Sequence, residues 1–174
     1  MPTPREDTTA KPAKKGAKAV DAITLLMKDH REVEALFKKF EEAKDDNSEK
    51  ADIVAQICDA LSDHAAIEEE IFYPAAREAL SEKGEDLLDE AEVEHASIKS
   101  LVEQLEEAEP DDELYDAKVK VLTEYVKHHV KEEEGEMFPK VKKTDLDLGQ
   151  LGAEMFERKT ELMAEADEEE DNPE

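Results

Sequence analysis

The chain has 174 residues, 50 acidic and 23 basic side chains and a formal charge of -27, which repels phosphate backbones and anionic membrane surfaces and sets nucleic acid and lipid headgroups aside as partners of the folded body. With 42% charged residues, 5 glycines and no tryptophan, the composition is that of a solvent-laced helix bundle, one domain with tails. A single cysteine, Cys58, forms no internal disulfide, and no apolar run reaches the length of a signal-peptide core or a membrane span, so a reducing cytoplasm is expected.

Residues 1–19 hold Pro2, Pro4, Pro12 and several lysines among small polar residues and are expected to form a disordered basic tail. Asp21 is a predicted N-cap for a first helix to about residue 43, whose apolar stripe Ile23, Leu26, Val33, Phe37 and Phe40 includes His30. A second helix is expected over about 49–80, burying Ile53, Ile57, Leu61, His64, Glu68 and Ile71, with a kink or pause near Phe72 and Tyr73 because Pro74 lacks a backbone donor. Gly84 predicts the next break. A third helix over about 85–107 carries Leu88, His95, Ile98, Val102 and Leu105 on one face. Pro110 and the acids after it open a fourth, to about 142, with Pro139 late in it.

Residues 144–166 carry Leu148, Leu151, Met155, Phe156 and Leu162 and predict a shorter fifth amphipathic helix. It either covers one end of the bundle or pairs two subunits as a homodimer. Residues 167–174 read as an acidic disordered end. Short connections favour antiparallel neighbours, so the expected fold is all-α, an up-down-up-down four-helix bundle over residues 20–143 with appendages.

The chain repeats itself with a shift of 65 residues, the distance from His64 to His129. His64-x-x-x-Glu68 recurs as His129-x-x-x-Glu133, and His30 recurs as His95, with the apolar stripes in step. A histidine and a glutamate four residues apart lie on one helix face, one turn apart. In a bundle, four imidazoles and two carboxylates then converge on the axis, a ligand set suited to a pair of divalent transition metals bridged by the carboxylates. Chance pairing of His with Glu is common in so acidic a chain; the shared shift and the apolar stripes around Glu68 and Glu133 argue against it.

His128 has no counterpart in the repeat, since Asp63 stands there, and it points about a hundred degrees from His129, so it is expected outside the ligand set. Glu69, Glu70, Glu132 and Glu134 read as solvated, with one of them able to orient a ligand histidine. Tyr125, one turn before His129, is either a packed core tyrosine or a catalytic phenol that reaches one metal and makes the two inequivalent.

These residues resemble the hemerythrin-like, or HHE cation-binding, family: His30, His64-x-x-x-Glu68 leading to Phe72-Tyr73-Pro74, then His95, then His129-x-x-x-Glu133 leading to Phe138-Pro139. The resemblance implies a four-helix bundle around two non-haem iron ions. His30 and His64 would serve one iron and His95 and His129 the other, with Glu68 and Glu133 bridging beside an oxo or hydroxo group. Invertebrate oxygen carriers of the family have a fifth ligand histidine one turn along the third helix, where this chain has Ala91 or Lys99, and they space the second carboxylate motif one residue wider, with an aspartate.

Those departures leave a more open pair and point away from simple oxygen carriage. The expected function is binding of, or reaction with, a small oxidant such as dioxygen, peroxide or nitric oxide, including peroxide consumption. The competing expectation is an iron-dependent sensor, storage or donor protein without turnover.

Overall fold

The computed structural model describes residues 20–171; the expected tail over 1–19 and the last three residues lie outside it. Asp21 caps α1 (Ala22–Ala43) by accepting from the Thr24 N–H at 3.1 Å. Asp46 caps α2 (Asn47–Ile67) through the Glu49 N–H at 3.0 Å. Both caps satisfy donors that a helix start otherwise leaves open.

No break occurs at Phe72 and Tyr73. A π-helical turn, Glu68–Phe72, follows α2 directly and leads into α3 (Tyr73–Ala79), with the Tyr73 N–H bonded to the Glu68 carbonyl. One extra residue in the turn accommodates Pro74 without interrupting the helix. It also advances the buried face by one residue. Ile71, expected inside, is half-buried, while Phe72 and Tyr73 are buried.

The chain turns at Leu80 and Ser81 rather than at Gly84, which lies within α4 (Glu82–Glu106). The backbone is extended at Leu80 and Ser81, and the Ser81 carbonyl accepts from the Gly84 and Glu85 N–H groups, so the glycine lies in the first turn of the helix. Residues 107–114 connect to α5 (Tyr115–Glu132), which starts later than expected because the acidic run after Pro110 forms turns. A second π-turn, Glu133–Met137, then leads into α6 (Phe138–Val141), repeating the arrangement around Pro139.

Together these make the antiparallel four-helix bundle: α1, then α2 with α3, then α4, then α5 with α6. Its buried apolar residues form two clusters, one around Phe37, Ile57, Val102 and Leu122, the other around Leu26, Phe72, Leu88 and Phe138. Each histidine falls between them in its own helix: His30 between Leu26 and Val33, His64 between Leu61 and Ile67, His95 between Ala91 and Ile98, His129 between Val126 and Met137, with Glu68 and Glu133 one turn further on. The bundle therefore holds one polar layer with a dry block on either side.

The last helix, α7 (Leu148–Asp171), packs against α1, α2 and the first π-turn and runs past its expected end at residue 166 through residues rich in good helix formers. Leu151 and Met155 are buried against the second apolar cluster. At about 1.5–3 kcal/mol each, those two side chains outweigh the exposed Arg158–Glu70 ion pair, which solvent screens. Docking is close enough that a Cβ on Gly152 would come within 2.3 Å of the Val20 carbonyl oxygen and 2.6 Å of the Ala22 nitrogen.

Gly152→Ala should therefore destabilise the protein by about 1–3 kcal/mol, since backbone must shift. Gly149→Ala, whose added carbon meets nothing nearer than 3.4 Å, should be neutral or slightly stabilising. Urea unfolding of both variants checks this; equal stabilities would refute the close packing of α7.

Candidate metal centre

α1, α2, α4 and α5 each turn one histidine inward, and all four imidazoles are buried. The Nε2 atoms of His30 and His64 lie 3.2 Å apart, and those of His95 and His129 lie 3.0 Å apart. The two glutamates sit across these pairs. Glu68 places Oε1 3.3 Å from His64 Nε2 and Oε2 3.2 Å from His95 Nε2, so its two oxygens face different pairs. Glu133 Oε2 lies 3.2 Å from His30 Nε2 and 3.5 Å from His129 Nε2.

Glu68 and Glu133 are 0% and 1% exposed, yet Glu68 Oε1 and Glu133 Oε2 have no hydrogen-bond partner. A buried carboxylate oxygen without a partner is costly, and these two point at the space between imidazole nitrogens. The donor set of imidazole nitrogen and carboxylate oxygen is one that binds divalent transition metals. His30, His64, Glu68 and Glu133 bring one ligand atom each within 4.8 Å of one another, and Glu68, His95 and His129 do the same. The residues present fit a bound metal cation.

Every one of the four imidazoles also has a carboxylate on its other nitrogen. The Nδ1 atoms of His30, His95 and His129 contact Glu134, Glu69 and Glu94 at 2.8, 2.9 and 2.8 Å, and that of His64 contacts Asp29 at 3.5 Å. Such partners fix the ring orientation and leave Nε2 to ligate. Two of these, Glu69 and Glu134, are among the glutamates expected to be solvated. Asp29 and Glu94 were not singled out by spacing, although they stand just before His30 and His95 and obey the same 65-residue shift.

Three of these carboxylates meet a cation in turn. Arg31 pairs with Glu134, Lys99 with Glu69 at 2.6 Å, and Lys159 from α7 with Asp29 at 2.7 Å. His128 lies 3.2 Å from Glu94 and is 60% exposed, outside the inner layer as expected but beside the residue that holds His129.

Tyr125 is 47% exposed and stands at the surface, a correction to both expectations, a packed core tyrosine or a phenol that reaches a metal: the Val126 and His129 face turns inward and Tyr125 falls off it. The phenol in the layer is Tyr73. Its hydroxyl donates to Glu133 Oε1 at 2.9 Å and lies 3.2 Å from His95 Nε2 and 3.3 Å from Glu68 Oε2. The signal for it is in the repeat, since Tyr73 corresponds to Phe138 and adds a hydroxyl at a position that is aromatic in both halves. A strict α-helical count aims it elsewhere; the π-turn brings it in. Phe138 instead stacks on His30, ring centroids 6.0 Å apart.

The charges in the layer are mutually dependent. Burial opposes the charge of Glu68, but His64 and His95 hold its carboxyl well below the usual range. Burial likewise opposes a proton on His64, and Glu68 with Asp29 outweighs it, pushing the imidazole up to about 10. Burial and the two glutamates push the Tyr73 phenol well above its ordinary value, so it is a donor at neutral pH.

Residues 21–141 match the profile of the hemerythrin HHE cation-binding domain. A DNA nickase from Nostoc sp. (strain PCC 7120) is 30% identical over 118 residues, 68% of this chain but 32% of the nickase, so the chain spans about a third of that curated relative. A crystal structure of a hemerythrin HHE cation-binding domain-containing protein from Mycobacterium kansasii superposes with a TM-score of 0.74 at 24% identity, covering 88% of this chain and 94% of that one. Matched over most of its length, the chain is a member of the hemerythrin HHE cation-binding family, a metal-binding helical bundle.

Proposed function

We propose that the protein holds two iron ions in the histidine and glutamate layer and uses them to bind or react with a small oxidant such as dioxygen, peroxide or nitric oxide. The observation that carries this is the pair of orphaned buried oxygens, Glu68 Oε1 and Glu133 Oε2, aimed between two imidazole pairs. His30 and His64 would hold one ion, His95 and His129 the other, with Glu68 and Glu133 between them. Iron supplies reversible ferrous and ferric states. The chain's own residues orient four imidazoles, keep the layer dry between two apolar blocks, and hold a phenolic proton on Tyr73 against Glu133.

Tyr73 takes the role first sought in Tyr125, and it stands on the His95 side only, which makes the two ions inequivalent. The competing reading is an iron-dependent sensor, storage or donor protein, favoured by the link from α7 through Lys159 and Asp29 to His64, since occupancy of the layer would then bear on how a surface helix docks. Among the described residues no helix is long and apolar enough to cross a membrane. A cytoplasmic setting suits buried, unpaired Cys58, and the charge of -27 disfavours DNA as a partner of the folded body.

Anaerobic ferrous titration of the metal-free protein should give two irons per chain, and Glu133→Ala should lose at least one of them together with thermal stability, because ligation energy is also folding energy. Oxidant added to the loaded protein over repeated cycles separates the readings: continued consumption supports turnover, and a single oxidation supports the sensor or donor. Two irons in Glu133→Ala at an unchanged Tm would overturn the ligand assignment.

Tyr73→Phe should keep both irons and the fold while the two Mössbauer doublets of the diferric protein converge. Doublets that stay as separate as in the parent would remove Tyr73 as the source of inequivalence.

Protons and metals compete for the same lone pairs, so loading at pH 7 must displace the proton that His64 holds up to about 10. About one proton or more per chain should appear in calorimetry across buffers of different ionisation enthalpy. The raised imidazole stabilises the metal-free fold fully below its ordinary 6.5 and loses that contribution as pH rises toward about 10. The metal-free Tm should therefore fall over that window, and the loaded protein should show a smaller fall; matching falls would exclude His64 as a ligand.

A further inference from the structure

The grooves that flank the layer differ in charge. Between α1 and α5 runs a groove of about 250 Å³ that has His30, Val126 and Val130 in its lining and Arg31, Lys127 and Lys131 around it, against the carboxylates Glu34 and Glu134. Among the described residues neither Lys127 nor Lys131 has a carboxylate within 4.0 Å, in a chain with 50 acidic side chains. Behind this groove lies a cavity of about 20 Å³ bordered by all four histidines, room for one water-sized molecule, and it shares His30, Val126 and Val130 with the groove.

The 65-residue repeat supplies an internal control. The corresponding groove, between α2 and α4, has a volume of about 320 Å³ and carries Ser62 and Ala66 where the first has Lys127 and Lys131. Its lining has one cation, Lys99, against Glu69, Glu70, Glu103 and Glu106, and it does not include His95. One groove thus has three cations to two carboxylates and touches a layer histidine; its mate has one cation to four carboxylates and does not.

The asymmetry inside points the same way. Tyr73 occupies the space beside His95, whereas its repeat partner Phe138 leaves the His30 side without a polar group of its own there. We propose that the α1/α5 groove receives a small monovalent inorganic anion and leads it past Val126 and Val130 to the position beside His30 and His64. This rests on the reading of the layer as a two-metal site. On a molecule of strongly negative charge, a local cluster of unpaired lysines focuses anions to one place, and the effect fades as salt screens it.

The test uses the diferric protein with azide as the anion, following complex formation by stopped-flow absorbance at low and high ionic strength. Lys127→Glu with Lys131→Glu should slow association about tenfold at low salt, Lys127→Gln with Lys131→Gln by less, and both differences should shrink at high salt. Ser62→Glu with Ala66→Glu, which lowers the charge of the mate groove by as much as Lys127→Gln with Lys131→Gln lowers that of the first, should stay within about twofold. Nitric oxide, being neutral, should bind the diferrous forms of all variants at one rate.

Equal azide rates in the parent and the lysine variants, or an equal slowing by the mate-groove variant, would overturn the proposal. Should the parent itself give no azide complex, the two-metal reading fails instead, and the groove is then judged on metal-free protein by amide NMR. There, azide should shift Arg31, Lys127 and Lys131 saturably while Ser62 and Ala66 stay fixed; no such shifts would overturn the groove as an anion site.

Discussion

Two carboxylates with no solvent and incomplete hydrogen bonding are the constraint on which this bundle depends. Glu68 and Glu133 sit in the middle of a helical core, where an uncompensated charge costs several kcal/mol. Compensation comes from four imidazoles placed at one depth, one per helix, and from whatever cations those imidazoles help to hold. The apolar residues arrange themselves accordingly, as two clusters on either side of the polar layer rather than one continuous core. Removing a single member leaves the others charged and unpaired, so the layer is cooperative by construction.

The layer does not end at the imidazoles. Each ring is held by a carboxylate, and each carboxylate by a basic side chain, in four chains that run from the bundle axis to the surface. Three of these chains are completed by residues of the four-helix bundle: Arg31, Lys99 and His128. The fourth is completed by Lys159 on α7, which gives the appended helix a connection to the site that burial of Leu151 and Met155 alone would not. Asp29 serves both partners, with Oδ1 facing that lysine and Oδ2 facing His64 at the longest of the four imidazole contacts, 3.5 Å.

The bundle and the six residues of the layer were legible in the sequence because both are periodic. Apolar stripes at helical spacing set the helices, and a 65-residue shift that carried histidines and glutamates along with the stripes set the inner face. Reading stopped where periodicity changed. The π-turns at Glu68–Phe72 and Glu133–Met137 add a residue to the count, so Phe72 and Tyr73 turn inward where Ile71 was expected, and the phenol was sought on the wrong helix, at Tyr125. Asp29 and Glu94 were missed for a different reason. In a chain this acidic, a carboxylate beside a histidine carries little information until its counterpart in the other half is checked.

Comparing the two halves shows where the repeat has been broken, and the departures share a direction. Tyr73 against Phe138 distinguishes the His95 side of the layer from the His30 side; Lys127 and Lys131 against Ser62 and Ala66 distinguish the groove that touches His30 from its mate. Both halves form the same π-turn and bury the same histidine and glutamate despite these differences. A symmetric layer would treat its two ends alike. The residues that spoil the symmetry fill one end with a phenol and surround the way to the other with positive charge, which is what a site requires if one metal is to stay saturated by the protein and the other is to exchange its ligand.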